Sequence, residues 1–344
     1  MTYDTILVGT DGSTTATVAE GVALALAKAE RSRVVVVAAY RGDDTPAREA
    51  VESARERAAS AGVGATTEVL DAEPATAIVE LADRADAQLI VVGDVGMGTA
   101  RRFRMGGVPD RVSHEMPCDL LIVRTSKGER AAAPGEYRRV LIATDGSATA
   151  DRAARVGAAF ARGLGATITL VHVGDETVGR IVLRDTAERL AATDADVKAI
   201  SGDPGERLVE IASEGAFDLV VVGNKGMSGS MRFLLGAVPD RVTHQAPCDV
   251  LIVNTAGRSL EDLEPEEGAI VEVDGTKVAA YRDASGAFVT LSPKCKHLGC
   301  TVGWNHRAKT WDCPCHGSRY EREGAVRNGP TRHPLDPVAP PSDP

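Results

Sequence analysis

The chain has 344 residues, of which 43% are hydrophobic and 26% are charged, and its formal net charge at pH 7 is −10. This length suits two or three globular domains, and the negative charge argues against nucleic acids and anionic membranes as general partners. No apolar run approaches the length of a membrane span and no secretory leader is evident, so the sequence predicts a soluble cytoplasmic protein.

The first two thirds of the chain contain an internal repeat. Residues 93–125 align with residues 223–255 without gaps, and more than half of the aligned residues are identical. Upstream, the segments Ile6–Ser13 and Leu141–Ser147 both end in Thr-Asp-Gly-Ser. Two copies of one domain are therefore predicted, over residues 1–126 and 136–256.

Each copy alternates short apolar runs with helical segments rich in alanine and glutamate. In the first copy, strands are predicted near Thr5–Val8, Val34–Ala39, Thr66–Leu70, Leu89–Val92 and Leu120–Val123, and helices over Thr14–Glu30, Pro46–Ala61, Pro74–Arg84 and Val108–His114. In the second copy, strands are predicted near Arg139–Ala143, Thr167–Val173, Val197–Ile200, Leu219–Val222 and Val250–Val253. This alternation predicts an α/β fold: two doubly wound parallel sheets of five strands, each covered by helices on both faces.

A glycine motif, Gly-x2-Gly-x9-Gly, follows the fourth predicted strand of each copy. Its residues are Gly93, Gly96, Gly106 and then Gly107 in copy one, and Gly223, Gly226, Gly236 and then Ala237 in copy two. Such glycines let backbone N–H groups approach phosphate oxygens at a helix N-terminus. With the acids Asp11 and Asp145 after the first strand, each copy resembles a universal stress protein domain. The resemblance implies that these acids lie near a bound ATP.

Both copies depart from the ATP-binding branch of that family at one position. The branch has Ser or Thr after the last glycine, whereas Gly107 and Ala237 offer only a backbone donor there. Two interpretations stay open: an ATP site in at least one copy, or an inherited turn motif that keeps the fold and has lost the ligand. The resemblance also implies that the copies pair through their last strands, with further association into homo-oligomers left open.

A His-x3-Cys pattern precedes the last strand of both copies, as His114 with Cys118 and His244 with Cys248. A metal or redox role is one interpretation. The favoured one is structural, because the cysteine opens a buried strand and a free cysteine packs as a small hydrophobe.

A third domain is predicted over residues 259–338. Its first strands lie near Ala269–Val273, Lys277–Arg282 and Phe288–Leu291. Two short loops follow, each offering one Cys and one His: Cys295-x-His297 and Cys313-x2-His316. Two cysteines and two histidines could bind a tetrahedral zinc ion, but a zinc site has no use for the two further cysteines at these offsets.

The two loops resemble the Rieske [2Fe–2S] signature, and the domain is then all-β. The resemblance implies that Cys295 and Cys313 bind one iron and that His297 and His316 bind the other. In the branch similar to the cytochrome bc1 protein, it also implies a disulfide between the spare cysteines, and hydroxyl hydrogen bonds to the cluster that raise its potential. The residues concerned are Cys300, Cys315, Ser318 and Tyr320.

Together these resemblances predict an electron-transfer or redox-sensing protein with an unidentified redox partner, fused to a tandem module that binds ATP as a ligand. No enzymatic activity of its own is predicted, although it could belong to an oxidoreductase system. The alternative is a nucleotide-binding stress-response protein whose metal site is mainly structural. An oxygenase is disfavoured, because no domain is left for a mononuclear iron with two His and a carboxylate.

Overall fold

The computed structural model describes residues 3–95, 105–125, 134–192, 194–224, 235–255, 260, 263, 265–273, 276–305, 308–313 and 316–338. The chain forms two compact units, Met1–Thr255 and Ala256–Pro344. The first unit contains both predicted copies of the repeat, and the second contains the two loops with cysteine and histidine. None of the described helices combines the length and the hydropathy needed to cross a bilayer.

The first unit has the alternating elements that the sequence predicts. In copy one these are β1 (Thr5–Gly9), α1 (Thr14–Glu30), β2 (Arg33–Tyr40), α2 (Thr45–Ala61), β3 (Ala65–Asp71), α3 (Pro74–Arg84), β4 (Leu89–Gly93), α4 (Gly107–Glu115) and β5 (Asp119–Val123). In copy two they are β6 (Arg139–Ala143), α5 (Ala148–Gly163), β7 (Thr167–Val173), α6 (Glu176–Arg189), β8 (Asp196–Ile200), α7 (Pro204–Glu214), β9 (Leu219–Gly223), α8 (Ala237–Gln245) and β10 (Asp249–Val253).

The strands of both copies form one ten-stranded sheet with the order β3-β2-β1-β4-β5-β10-β9-β6-β7-β8. Neighbouring strands within each copy are parallel, whereas β5 and β10 are antiparallel, with Leu121 opposite Leu251. All residues of these two strands are buried. The predicted pairing of the copies through their last strands is therefore observed, and it turns two five-stranded halves into one continuous sheet.

Reciprocal hydrogen bonds to two buried carboxylates reinforce the joint between the copies. Asp119 accepts from the Asn254 backbone amide at 2.8 Å and from the Tyr3 hydroxyl at 2.9 Å. Asp249 accepts from the Arg124 backbone amide at 2.8 Å and from the Tyr137 hydroxyl at 2.7 Å. Burial, followed by the charge of Asp119, raises the pKa of Tyr3 well above its usual value, so this hydroxyl stays a donor.

The second unit is all-β, as predicted. Its first sheet has the antiparallel strands β11 (Glu267–Val273), β12 (Thr276–Arg282) and β13 (Phe288–Leu291). Its second sheet has β14 (Gly303–Asn305), β15 (Thr310–Asp312), β16 (Arg319–Glu321) and β17 (Val326–Asn328). Trp311 and Tyr320 are fully buried and pack in one cluster with Cys295 and Cys313, so the candidate ligand loops are anchored in the core of this unit.

Candidate metal centre

The two loops that carry the cysteine and histidine pairs are each closed by backbone hydrogen bonds around the cysteine. In the loop between β13 and β14, the Cys295 amide donates to the Cys300 carbonyl at 2.8 Å, and Gly299 donates back to Cys295 at 2.8 Å. In the loop between β15 and β16, the Cys313 amide donates to the Ser318 carbonyl at 2.7 Å. Glycines with φ of +75° and +71° turn the chain in the two loops, a conformation that other residues rarely adopt.

This loop geometry separates the two kinds of candidate ligand. Cys295 and Cys313 are 2% and 3% exposed, whereas His297 and His316 are exposed. The centroids of the two imidazole rings are 4.8 Å apart, and their planes are nearly perpendicular. The structure thus brings the four predicted ligands together, with the thiols on the protein side and the imidazoles on the solvent side.

Hydrogen bonds prepare Cys295 to act as a thiolate. Burial is the largest influence and opposes ionisation, but hydrogen bonds from Tyr320, the His297 backbone amide, Ser318 and Cys313 outweigh it and lower the pKa of Cys295. The Tyr320 hydroxyl donates to Cys295 Sγ at 3.1 Å. Because a metal binds the thiolate rather than the thiol, these donors favour the metal-binding form.

The hydroxyl of Ser318 bears on which metal group these loops would hold. Ser318 is fully buried, and although its hydroxyl contributes to the lowered pKa of Cys295, Oγ has no partner at full hydrogen-bond geometry among the described residues. A buried hydroxyl without a partner costs about 1–3 kcal/mol. With zinc bound, this hydroxyl would have only the ligand thiolates as acceptors, whereas a cluster also brings sulfide acceptors of its own. The donor set therefore fits a [2Fe–2S] cluster.

The spare cysteines are placed only in part. Cys300 is disulfide-bonded, whereas Cys295 and Cys313 are free thiols. Cys315, its predicted partner, lies outside the described residues. The two thiols that the cluster would need are therefore available.

A third segment packs against the second loop. Gly329, which follows β17, has φ +112°, and a Cβ atom at this position would lie 2.5 Å from the Ser318 Cα atom. Only glycine permits this close approach of two backbones.

In each copy of the first unit, the glycine motif starts at the end of a strand and finishes at the N-terminus of a helix. Gly93 and Gly223 end β4 and β9, and Gly106 and Gly236 precede α4 and α8 as N-caps. The Gly106 amide donates to the Asp94 carbonyl at 2.7 Å, and the Gly236 amide donates to the Asn224 carbonyl at 2.9 Å. Gly107 and Ala237 begin the two helices, so their amides point out of a helix N-terminus. Gly96 and Gly226 lie outside the described residues.

Asp11 and Asp145, the acids predicted to lie near a bound nucleotide, stabilise the turn after the first strand of each copy. Asp11 accepts from the Ser13 amide at 3.0 Å, and Asp145 accepts from the Ser147 amide at 3.0 Å and its hydroxyl at 2.6 Å. The first turn of α1, which directly follows Ser13, lies beside the glycine motif of copy one, because a Cβ atom on Gly93 would be 3.5 Å from the Thr15 carbonyl oxygen. The structure thus places the predicted acid and glycines at the same edge of the sheet.

Sequence reasoning missed a buried carboxylate beneath the turn of copy one. Glu20 is 1% exposed, accepts from the Thr10 hydroxyl at 2.6 Å and is paired with Arg57. Alanine stands at the corresponding position, Ala154, in copy two. The sequence feature that could have indicated this buried carboxylate is a glutamate on the otherwise apolar face of the predicted helix.

The cysteine of the His-x3-Cys pattern in copy two, Cys248, lies in an environment that suits a packing role. Burial, followed by the charge of Asp249, raises the pKa of Cys248 to about 12, so the thiol is neutral at physiological pH. Nδ1 of His114 and Nδ1 of His244 each lie 2.9 Å from a backbone carbonyl of their own helix. The interpretation of Cys248 as a packing residue fits this environment.

Comparison with known protein families assigns both units. The universal stress protein family model matches residues 2–124, 136–182 and 179–254, more than half of the chain. The chain belongs to the universal stress protein family. A second model, for the Rieske [2Fe–2S] domain, matches residues 256–339. This universal stress protein therefore carries a C-terminal Rieske domain, as the two resemblances predicted.

Individual relatives of this universal stress protein match one unit or the other. Universal stress protein Rv1636 of Mycobacterium tuberculosis is 34% identical over 142 residues, covering 35% of this chain and 97% of Rv1636. The cytochrome b6-f complex iron-sulfur subunit 2 of Trichormus variabilis is 35% identical over 97 residues, covering 28% of this chain and 51% of the subunit. The chain spans 15–51% of the length of its first matched Rieske relatives.

A solved structure shares the fold of the first unit. The crystal structure of a universal stress protein from Archaeoglobus fulgidus has a TM-score of 0.59 and 20% sequence identity, and it covers 73% of this chain and 98% of that chain. At this identity the likeness concerns the fold alone.

Proposed function

We propose that this universal stress protein transfers single electrons through a [2Fe–2S] cluster held by Cys295 and Cys313 on one iron and by His297 and His316 on the other. The observation that carries the proposal is the pair of buried thiols beside two exposed imidazoles, with the buried Ser318 hydroxyl directed toward Cys295. When bound, such a cluster accepts and returns one electron at a potential above that of all-cysteine plant-type clusters.

The protein's own residues set where an electron enters and leaves. The buried thiols keep water from one side of the site, while the two exposed imidazole edges give a redox partner direct contact. Leu298 follows His297 in the first ligand loop. It is 67% exposed and offers an apolar contact to such a partner. Lys296 is ion-paired with Asp336, so its charge is already offset, whereas Lys294, on the other side of Cys295, is an exposed basic residue.

The proposal is tested by a redox titration of the cluster-loaded chain. We expect a single reversible step with the one-electron slope of about 59 mV per tenfold change in the ratio of oxidised to reduced cluster. A one-electron acceptor should reoxidise the reduced protein with one equivalent per chain. A protein that holds iron but shows no reversible step would contradict electron transfer.

Removing a hydroxyl donor beside the cluster is expected to lower its reduction potential. The reduced cluster carries more negative charge, so donors such as Tyr320 and Ser318 stabilise it more than the oxidised form. Losing one such hydrogen bond should destabilise the reduced cluster, relative to the oxidised one, by about 1–3 kcal/mol. In a one-electron couple this corresponds to a change in midpoint potential of roughly 40–130 mV. Tyr320→Phe and Ser318→Ala should each shift the midpoint downward by an amount in this range, measured by the same titration.

Tyr281→Phe is the matched control, because Tyr281 is a buried tyrosine of the same domain whose hydroxyl accepts from Arg322 instead of bonding a ligand sulfur. Its midpoint should stay within about 15 mV of the parent value, well below the shift expected from one lost donor. Equal shifts in Tyr320→Phe and Tyr281→Phe would contradict the assigned role of Tyr320.

We further propose that the stress-protein half binds ATP as a ligand, in domains that span residues 1–126 and 136–256, ahead of a Rieske domain at 259–338. Support comes from the glycine-capped N-termini of α4 and α8, which lie at the same sheet edge as the turns of Asp11 and Asp145. Backbone amides at such helix ends suit phosphate oxygens.

Restoring the missing hydroxyl should strengthen ATP binding in the copy that binds it. One added hydrogen bond of about 0.5–1.5 kcal/mol corresponds to a 2- to 12-fold lower Kd. Ala237→Ser and Gly107→Ser test the two copies separately by calorimetry, and Ala284→Ser, in an exposed turn of the second unit, is the control. Absence of ATP binding by all of these chains at millimolar nucleotide would leave the motif as an inherited turn.

A further inference from the structure

Residues of both copies converge where α4 and α8 meet. Asp110 on α4 and Asp240 and His244 on α8 present ligand atoms that all lie within 4.8 Å of one another. His244 Nε2 is 3.5 Å from a carboxylate oxygen of Asp110, and its Nδ1 is 3.5 Å from a carboxylate oxygen of Asp240. A nitrogen donor and two carboxylates from different copies thus share one small volume.

The tautomer of His244 directs a lone pair at this volume. Nδ1 lies 2.9 Å from the Asp240 backbone carbonyl, which only accepts hydrogen bonds, so Nδ1 carries the hydrogen. In the neutral imidazole, Nε2 is then an acceptor facing the Asp110 carboxylate, which is also an acceptor. Either a proton or a metal cation between them would resolve this contact, and the metal-binding test below separates the two. Metal-binding histidines commonly donate their other N–H to a backbone carbonyl in this way.

The surrounding basic residues do not supply that cation. Arg111, next to Asp110, pairs with Glu73 and Glu115. Arg241, next to Asp240, pairs with Asp203 and Glu206. Within the described ranges, no lysine or arginine lies within ion-pairing distance of the Asp110 or Asp240 carboxylate, so His244 is their nearest partner.

We propose that Asp110, Asp240 and His244 bind one divalent transition-metal cation at the junction of the two copies. Two carboxylates and one imidazole suit Mn²⁺, Fe²⁺ or Zn²⁺, whereas Mg²⁺ and Ca²⁺ prefer oxygen ligands alone. The bound ion would link α4 to α8, the two helices that begin at the glycine motifs. The site is asymmetric, because His114, the counterpart of His244, is not part of the converging group in the described structure.

Manganese binding to the oxidised, cluster-loaded chain tests this site. Free Mn²⁺ gives a six-line EPR signal that is lost on binding, and an oxidised [2Fe–2S] cluster is EPR-silent, so the two do not overlap. We expect one Mn²⁺ per chain, displaced by Zn²⁺, with affinity lowered at least tenfold in His244→Ala and in Asp110→Asn. His114→Ala is the matched control and should change the affinity by less than about threefold.

Two results would overturn the site: binding without saturation near one ion per chain, or equal binding by the parent chain and His244→Ala. Equal losses in His114→Ala and His244→Ala would overturn its asymmetric ligand set. Circular dichroism of each variant separates a lost ligand from a lost fold, and Asp240→Asn provides a third independent variant. A Cys295→Ser chain should bind Mn²⁺ as the parent does, because the cluster ligands belong to the other compact unit.

Discussion

Cys295→Ser should leave a chain that folds its first unit but retains no [2Fe–2S] cluster. A serine hydroxyl is a poor ligand for iron compared with a thiolate, and a buried site cannot recruit water to replace it. Iron should fall from about two atoms per chain to a small residual fraction, with loss of visible absorption. Because metal binding contributes to folding, the second unit should also unfold at a lower temperature.

Cys118→Ser is the matched control for this loss. Cys118 belongs to the first unit and is not one of the candidate cluster ligands, so its replacement tests the effect of removing any one sulfur. The control should keep the full iron and sulfide content of the parent chain. Parental iron content in Cys295→Ser would show that Cys295 is not a ligand.

Gly329→Ala should have the second-largest effect, although residue 329 is not a ligand. The added Cβ atom would lie 2.5 Å from the Ser318 Cα atom and 3.0 Å from the Ser318 nitrogen, so the collision is with backbone. The alanine would also have to adopt φ +112°. Strain and displacement together should cost about 3 kcal/mol, which lowers the temperature of cluster loss by roughly 12–24 °C in a domain of this size.

Gly303→Ala controls for the general effect of adding a methyl group at a glycine. Its Cβ atom would meet nothing within 4 Å, so only a small change is expected. The temperature of cluster loss is read from the visible absorption during heating. A Gly329→Ala protein that loses its cluster at the parental temperature would contradict the close packing of this segment against the second loop.

The first unit was predictable from sequence because its strands are buried on both faces. A strand of that kind is a continuous apolar run, such as Leu120–Val123, and it stands out between amphipathic helices. The predicted and observed ends of these elements differ by at most one residue, for example where Gly93 extends β4 beyond its apolar run.

The second sheet of the Rieske domain was not predicted. Its strands β14 to β17 have three residues each, which is too short for an alternating pattern to emerge. Each of these strands pairs with its neighbour in sequence across a connecting loop, as Trp311 does with Tyr320, and no apolar pattern marks the paired residues.

The candidate ligands were predictable because their spacing is local to two loops. The site at the junction of the copies was not, because Asp110 and His244 are far apart in sequence and meet only through the pairing of β5 with β10. The sequence pattern joined His244 to Cys248, whereas the structure groups it with two carboxylates. Contacts between copies depend on tertiary geometry that a repeat alone does not reveal.

The central claim is that the second unit holds a [2Fe–2S] cluster with mixed thiolate and imidazole ligands. It is tested most directly by EPR and visible absorption of the anaerobically purified, dithionite-reduced chain, with iron and sulfide analysis. The account predicts about two irons and two sulfides per chain and a low average g value of about 1.9. A colourless protein with one zinc ion per chain, even after iron–sulfur reconstitution, would contradict it.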